Sequence, residues 1–95
     1  MMKTIGRIEK WGQVTQLQGK NGTMTKCEVV IKDIGGDYAD TYVATVWGEE
    51  AKKNIAKGTP VAAKLRFFTH EHEGRTYQDI VADEIISLAA KEVVF

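Results

Sequence analysis

Between Lys64 and His70 every second position holds two cations and then two rings: Lys64, Arg66, Phe68 and His70. On an extended strand such residues share one face at intervals of ~6.6–6.8 Å, twice the strand rise. A row of this kind suits a flexible polyanion that also carries flat, unpaired faces: the cations meet the charge and the rings stack. The run His70-Glu71-His72-Glu73 holds the donor types of a zinc site. A tetrahedral site needs a further pair of ligands at fixed spacing, and none accompanies these histidines, so no metal is expected. Asp79, Asp83 and Glu84 have the chemistry of a nuclease carboxylate cluster, but no lysine or histidine stands at a telling distance from them. There is no glycine-rich phosphate loop and no Ser/His/Asp set. Neither a catalytic residue nor a cofactor is expected, and the acids are read as keeping the far side of the molecule soluble.

The cation–ring row needs a strand to carry it, and alternation supplies several. Val61, Ala63, Leu65 and Phe67 form an apolar row opposite Lys64 and Arg66. Cys27, Val29 and Ile31 alternate with Lys26, Glu28, Val30 and Lys32; Tyr42, Ala44 and Val46 alternate with Thr41, Val43, Thr45 and Trp47. This period of two marks half-buried strands. Thr76–Ala82 is a further strand. Ile5–Leu17 is β-prone with Gly6 and Gly12 inside it, the mark of a long strand with a bulge or bend. Turns fall at Gly19-Lys20-Asn21-Gly22, Gly35-Gly36-Asp37, Gly58-Thr59-Pro60 and Glu73-Gly74-Arg75. One stretch reads as helix: residues 49–58 begin with Glu49-Glu50, carry Lys52, Lys53 and Lys57 later, and stop at Gly58, an order that matches the helix dipole and C-cap.

Ninety-five residues with 43% apolar and 27% charged side chains make one ordinary globular domain over 1–95. The barrel is expected over about 5–88 and a short tail over 89–95. Five strands with a helix between the third and fourth is the order of the OB-fold, a small all-β Greek-key barrel. No apolar stretch approaches the ~20 residues of a membrane span, and no signal peptide is visible at the N-terminus. Cys27 is the only cysteine, so no internal disulfide forms and a reducing, cytoplasmic setting is expected. Net charge is zero, but its distribution is uneven: residues 1–32 carry six basic and two acidic side chains, residues 33–95 seven and eleven. Separated signs let a neutral protein present a basic face.

Several motifs resemble the single-stranded DNA-binding protein family of bacteria, plasmids and phages. They are Gly6-Arg7-Ile8, the Asn21-Gly22 turn, Val46-Trp47-Gly48-Glu49-Glu50-Ala51, Lys57-Gly58-Thr59-Pro60-Val61, Leu65-Arg66 followed by Gly74-Arg75-Thr76-Tyr77, and Ile80–Ile85. The similarity spans about residues 5–88. It implies an OB-fold that binds single-stranded DNA without reading sequence, in replication, recombination or repair, as a homodimer or homotetramer. Two features depart from the family. The chain ends at Lys91-Glu92-Val93-Val94-Phe95 in place of a long acidic-tipped tail, so recruitment of partners through a tail is not expected. Thr41 stands where the family carries an aromatic residue.

The resemblance makes Trp47 a stacking candidate; its alternative is a core tryptophan against the helix. Phe68 either stacks or fills a subunit interface. Trp11 either stacks beside Lys10 or covers the barrel end. Lys20 and Lys26 flank the first hairpin, Arg75 sits at the last turn, and Arg7, Lys10 and Lys32 extend the basic track; each alone also reads as a solvated surface charge. Nothing in these residues senses a 2′-hydroxyl, so RNA stands beside DNA as the polymer. A rival function from another class is an oligomerisation or protein-interaction module with little affinity for DNA.

Overall fold

Alternation becomes geometry in the computed structural model, which describes residues 2–35 and 38–89. The elements are β1 (Met2–Trp11), β2 (Thr15–Gly19), β3 (Gly22–Asp33), β4 (Thr41–Trp47), a 3-10 helix (Gly48–Lys53), β5 (Pro60–His72) and β6 (Arg75–Ser87). The sheet runs β1-β5-β6-β4-β3-β2, and a β1–β3 pairing closes it. β4 and β6 pair parallel and all other neighbours pair antiparallel. The result is the OB-fold that the element order predicts. Cys27, Val29, Ile31, Ala44, Val46, Val61, Ala63, Leu65, Ala82 and Ile85 point into one core with Ile8 and Ala51. Fully burying a side chain such as Ile31 or Leu65 is worth roughly 1.5–3 kcal/mol.

Two expectations are corrected. The long bent strand over residues 5–17 is two strands, β1 and β2, broken at Gly12-Gln13-Val14. Gly12 passes directly under the carbonyl oxygen of Glu28, to which its N–H donates at 2.8 Å, and a Cβ there would collide with that oxygen. The expected helix over 49–58 is a 3-10 helix ending at Lys53, where Asn54 turns left-handed at φ 47°. It is tied to β6: the Ile85 N–H donates to Glu50, and Lys53 Nζ donates to the Ile85 carbonyl at 2.7 Å. Phe67 also departs from the apolar row that leads to it. It is 40% exposed, because β5 has by then run past the barrel wall. The tail expected over 89–95 lies, beyond Ala89, outside the described residues, as do Met1, Gly36 and Asp37.

Two β-bulges set which side chains face out. In β1 the register steps from Ile8↔Ile31 to Lys10↔Val30, so Lys10 turns outward and Trp11, opposite Val29, turns inward. In β6 it steps from Lys64↔Glu84 to Leu65↔Ala82. Ala82 and Ile85 are both buried, and the adjacent acids Asp83 and Glu84 stand between them. A bulge puts two residues opposite one and so shifts the alternation by one step.

Candidate nucleic-acid interface

Two hairpins extend from the barrel. β2 and β3 pair from Thr15↔Lys26 to Gly19↔Gly22, with Lys20 and Asn21 at the tip. β5 and β6 pair out to His72↔Arg75. Their turn, Glu73-Gly74, has φ of 52° and 77°, the two positive angles of a type I′ connection. Every residue from Arg66 to Asp79 is exposed, so this arm is open on both faces.

Trp47 stands on the outer surface between these hairpins, 37% exposed. It pairs directly with Lys26 across β3 and β4, and the Lys26 ammonium lies 5.6 Å from the ring centroid. The core alternative for Trp47 is set aside, because strand parity turns it away from buried Val46. One concavity of about 340 Å³ joins Trp47 to Met24, Arg66, Val81, Ala82 and Asp83. A second, of about 420 Å³, joins it to Thr23, Met24, Thr25, Gly48, Glu49 and Lys52. Arg66 in turn lies over the ring of Phe68 at 5.1 Å, and Phe68 is 43% exposed. Trp47, Arg66 and Phe68 therefore form one accessible surface.

The cations of β5 are already answered by the neighbouring strand. Arg66 Nε pairs with Asp83, Lys64 Nζ lies 4.0 Å from Glu84, and His70 Nδ1 lies 2.8 Å from Asp79. The hydrogen bond to Asp83 raises the Arg66 pKa above the ordinary guanidinium value. His70 is also stacked on Tyr77, with ring centroids 5.3 Å apart and planes 18° from parallel. The expectation that these acids lie on the far side is corrected: the register of β6 puts Asp79, Asp83 and Glu84 on the same face as the row.

The remaining cations lie elsewhere. Lys10 and Lys26 line a concavity of about 290 Å³ with Gln13, Thr15 and Glu28. Arg7 and Lys32 are cross-strand partners, and Arg7 donates to the Gly58 carbonyl. Lys20 and Arg75 stand apart, one near each hairpin tip. Among the described residues none of these six makes an ion pair. Trp11 is not on this surface. Its indole N–H donates to the Ala51 carbonyl at 3.0 Å and its ring packs on the core, so it covers the barrel end and its stacking role is corrected. The physical reason is the β1 bulge, which reverses its facing. The Cys27 thiol lies beneath the same carbonyl; burial raises its pKa, and the hydrogen bond with Trp11 works in the opposite direction.

Sequence reasoning missed Met24, 52% exposed and shared by both concavities beside Trp47. Its signal was available: it has the parity of Lys26 and lies two residues from it. Among the described residues no three His, Cys, Asp or Glu side chains come together as a metal site, and no helix is long and apolar enough to cross a membrane.

No protein-family model matches the chain, and no curated protein does. Solved structures do match. A small single-stranded DNA-binding protein from Streptomyces coelicolor aligns over 93% of this chain and 88% of its own, at 19% identity and a TM-score of 0.52. A mitochondrial single-stranded DNA-binding protein from S. cerevisiae aligns over 92% of each chain, at 22% identity and a TM-score of 0.54. The likeness is one of fold.

Proposed function

We propose that this protein binds single-stranded DNA with little sequence preference, in the cytoplasm, as a one-domain component of replication, recombination or repair. The observation that carries the reading is the continuous exposed surface of Trp47, Arg66 and Phe68 between two projecting hairpins. Unpaired bases expose ring faces that aromatic side chains cover, each stacked base being worth roughly 1–3 kcal/mol. Phosphates are met by the cations without carboxylate partners: Lys26 and Lys10 beside the aromatic surface, Lys20 and Arg75 near the hairpin tips, and Arg7 and Lys32 farther along the β1–β3 wall. The structural neighbours named for the same binding activity support the reading.

A homodimer or homotetramer would lengthen the site, since one OB-fold covers only ~4–16 nucleotides. Ile5, Ala62 and Ile86 lie side by side on the outer face of β1, β5 and β6, with Ile5 55% and Ile86 47% exposed. This strip favours association between copies, and it equally supports the second reading, an interaction module with slight DNA affinity. Titration with oligo-dT separates them. Saturable, salt-sensitive quenching of Trp47 fluorescence, set against the partly buried Trp11, supports DNA binding. No change at micromolar protein in low salt supports the module. Repeating the titration with oligo-rU decides between DNA and RNA.

A further inference from the structure

The concavity beside Trp47 has two kinds of wall. Trp47, Met24 and Val81 are apolar, whereas Arg66 and Asp83 are polar and charged. The polar pair is accessible, its side chains being 45% and 28% exposed. The contact between them joins Arg66 Nε to one carboxylate oxygen. A guanidinium has five N–H donors and a carboxylate about four acceptor sites, so both partners retain capacity for a ligand. Arg66 is also held from the other side by the ring of Phe68, which limits how far the guanidinium can swing away. The pocket thus offers aromatic and thioether contacts for the face of a base, and an acceptor next to donors for its edge.

We infer that this concavity is a base-reading subsite that favours cytosine over thymine and uracil, with Asp83 accepting from the exocyclic amine and Arg66 donating to the ring nitrogen and the carbonyl beside it. This rests on the single-stranded DNA reading above and adds a bias at one position to binding that is otherwise indifferent to sequence. The edge of cytosine runs donor, acceptor, acceptor, the complement of one carboxylate followed by two guanidinium donors. Uracil and thymine run acceptor, donor, acceptor, so no orientation of either satisfies all three. Carboxylates accept from the cytosine amine, and arginine supplies paired donors, in the recurrent modes of base recognition. Met24 closes the pocket and holds the base against Trp47 without regard to its edge.

The test compares oligo-dC with oligo-dU of equal length at one salt concentration, by fluorescence anisotropy; these polymers differ only along the base edge. The wild type is expected to bind dC about ten-fold more tightly, within the discrimination a well-placed paired contact gives. Asp83→Asn should bring the two affinities to within about two-fold by replacing the charged acceptor, whereas Met24→Ser should weaken both equally. Tight binding of both polymers with equal affinity by the wild type overturns the inference and leaves the proposed function standing. So does a dC preference that survives Asp83→Asn. Absence of binding to either polymer at low salt overturns the proposed function, and the subsite with it.

Discussion

The barrel carries cations on two walls, and they are not equivalent. On the β1–β3 wall Arg7, Lys10, Lys26 and Lys32 make no ion pair among the described residues. On the β5–β6 wall Lys64, Arg66 and His70 each face a carboxylate across the strand pair. A cation without a partner gains a full interaction when it meets a phosphate and releases a counterion from the polymer. A paired one must give up or share its carboxylate, and the phosphate then meets an acid nearby. Under the proposed function the first wall would meet the sugar–phosphate chain and the second the base faces and edges. An inventory of lysines and arginines counts both walls alike; only the register between strands tells them apart.

The largest expected effect falls where the walls meet. Trp47→Ala should weaken binding to oligo-dT by about 1–3 kcal/mol, the cost of a lost stacking contact, in an anisotropy titration. A loss no larger than that of Thr45→Ala would remove the aromatic centre from the comparison. Next comes salt. Replacing Lys10, Lys26 and Lys32 together by Gln should flatten the slope of log affinity against log salt by about 2, at ~0.7 per phosphate contact on a single strand. Lys64→Gln and Arg66→Gln together should leave the slope nearly unchanged, and a flattening of about 1.4, the full ~0.7 for each, would erase the distinction. Releasing a paired cation sharpens it: Glu84→Gln should steepen the slope by up to about 0.7 as Lys64 becomes available to phosphate.

The smallest effect concerns the frame behind the first wall. Asp33 accepts from both Thr4 and Tyr42, joining β1, β3 and β4 at one end of the barrel. The hydrogen bond to Asp33, with burial second, raises the Tyr42 pKa above its ordinary 10.0. The folded state thus holds this proton more tightly than the unfolded chain. The contribution is whole below pH 10 and disappears as pH rises through the folded pKa. Denaturant titrations across that range should show a shallower decline for Tyr42→Phe than for the wild type.

The inward rows of β3, β4 and β5 were legible because alternation is local: Val29, Ile31, Ala44, Val46, Val61 and Leu65 all face the core as their spacing dictates. So was the outward facing of Trp47. What could not be seen was long-range register. Arg66 and Asp83 lie far apart in the chain and meet only because β6 carries an extra residue there. Trp11 turned inward for a similar reason, since the bulge after Ile8 reverses the parity that Arg7 and Glu9 suggest. Met24 shares the parity of Lys26, which gives its outward facing, but its place beside Trp47 comes from strand pairing. The 3-10 helix ends at Lys53, and its Glu50 and Lys53 hold the backbone of Ile85, a contact across the fold that local sequence does not show.

The irregularity between Asp83 and Glu84 has leverage beyond its own pair of acids. A strand's side-chain period is two, so removing one residue there inverts the facing of whatever lies beyond it. Were the barrel half of β6 to stay in place, Ile80 and Gln78 would exchange sides with Asp79 and Tyr77. The carboxylates that now temper the groove would swing to the opposite side of the arm, and Arg66 and His70 would lose their carboxylate partners. Length variation at this one spot, without any substitution, would thus alter which charges the proposed binding surface presents.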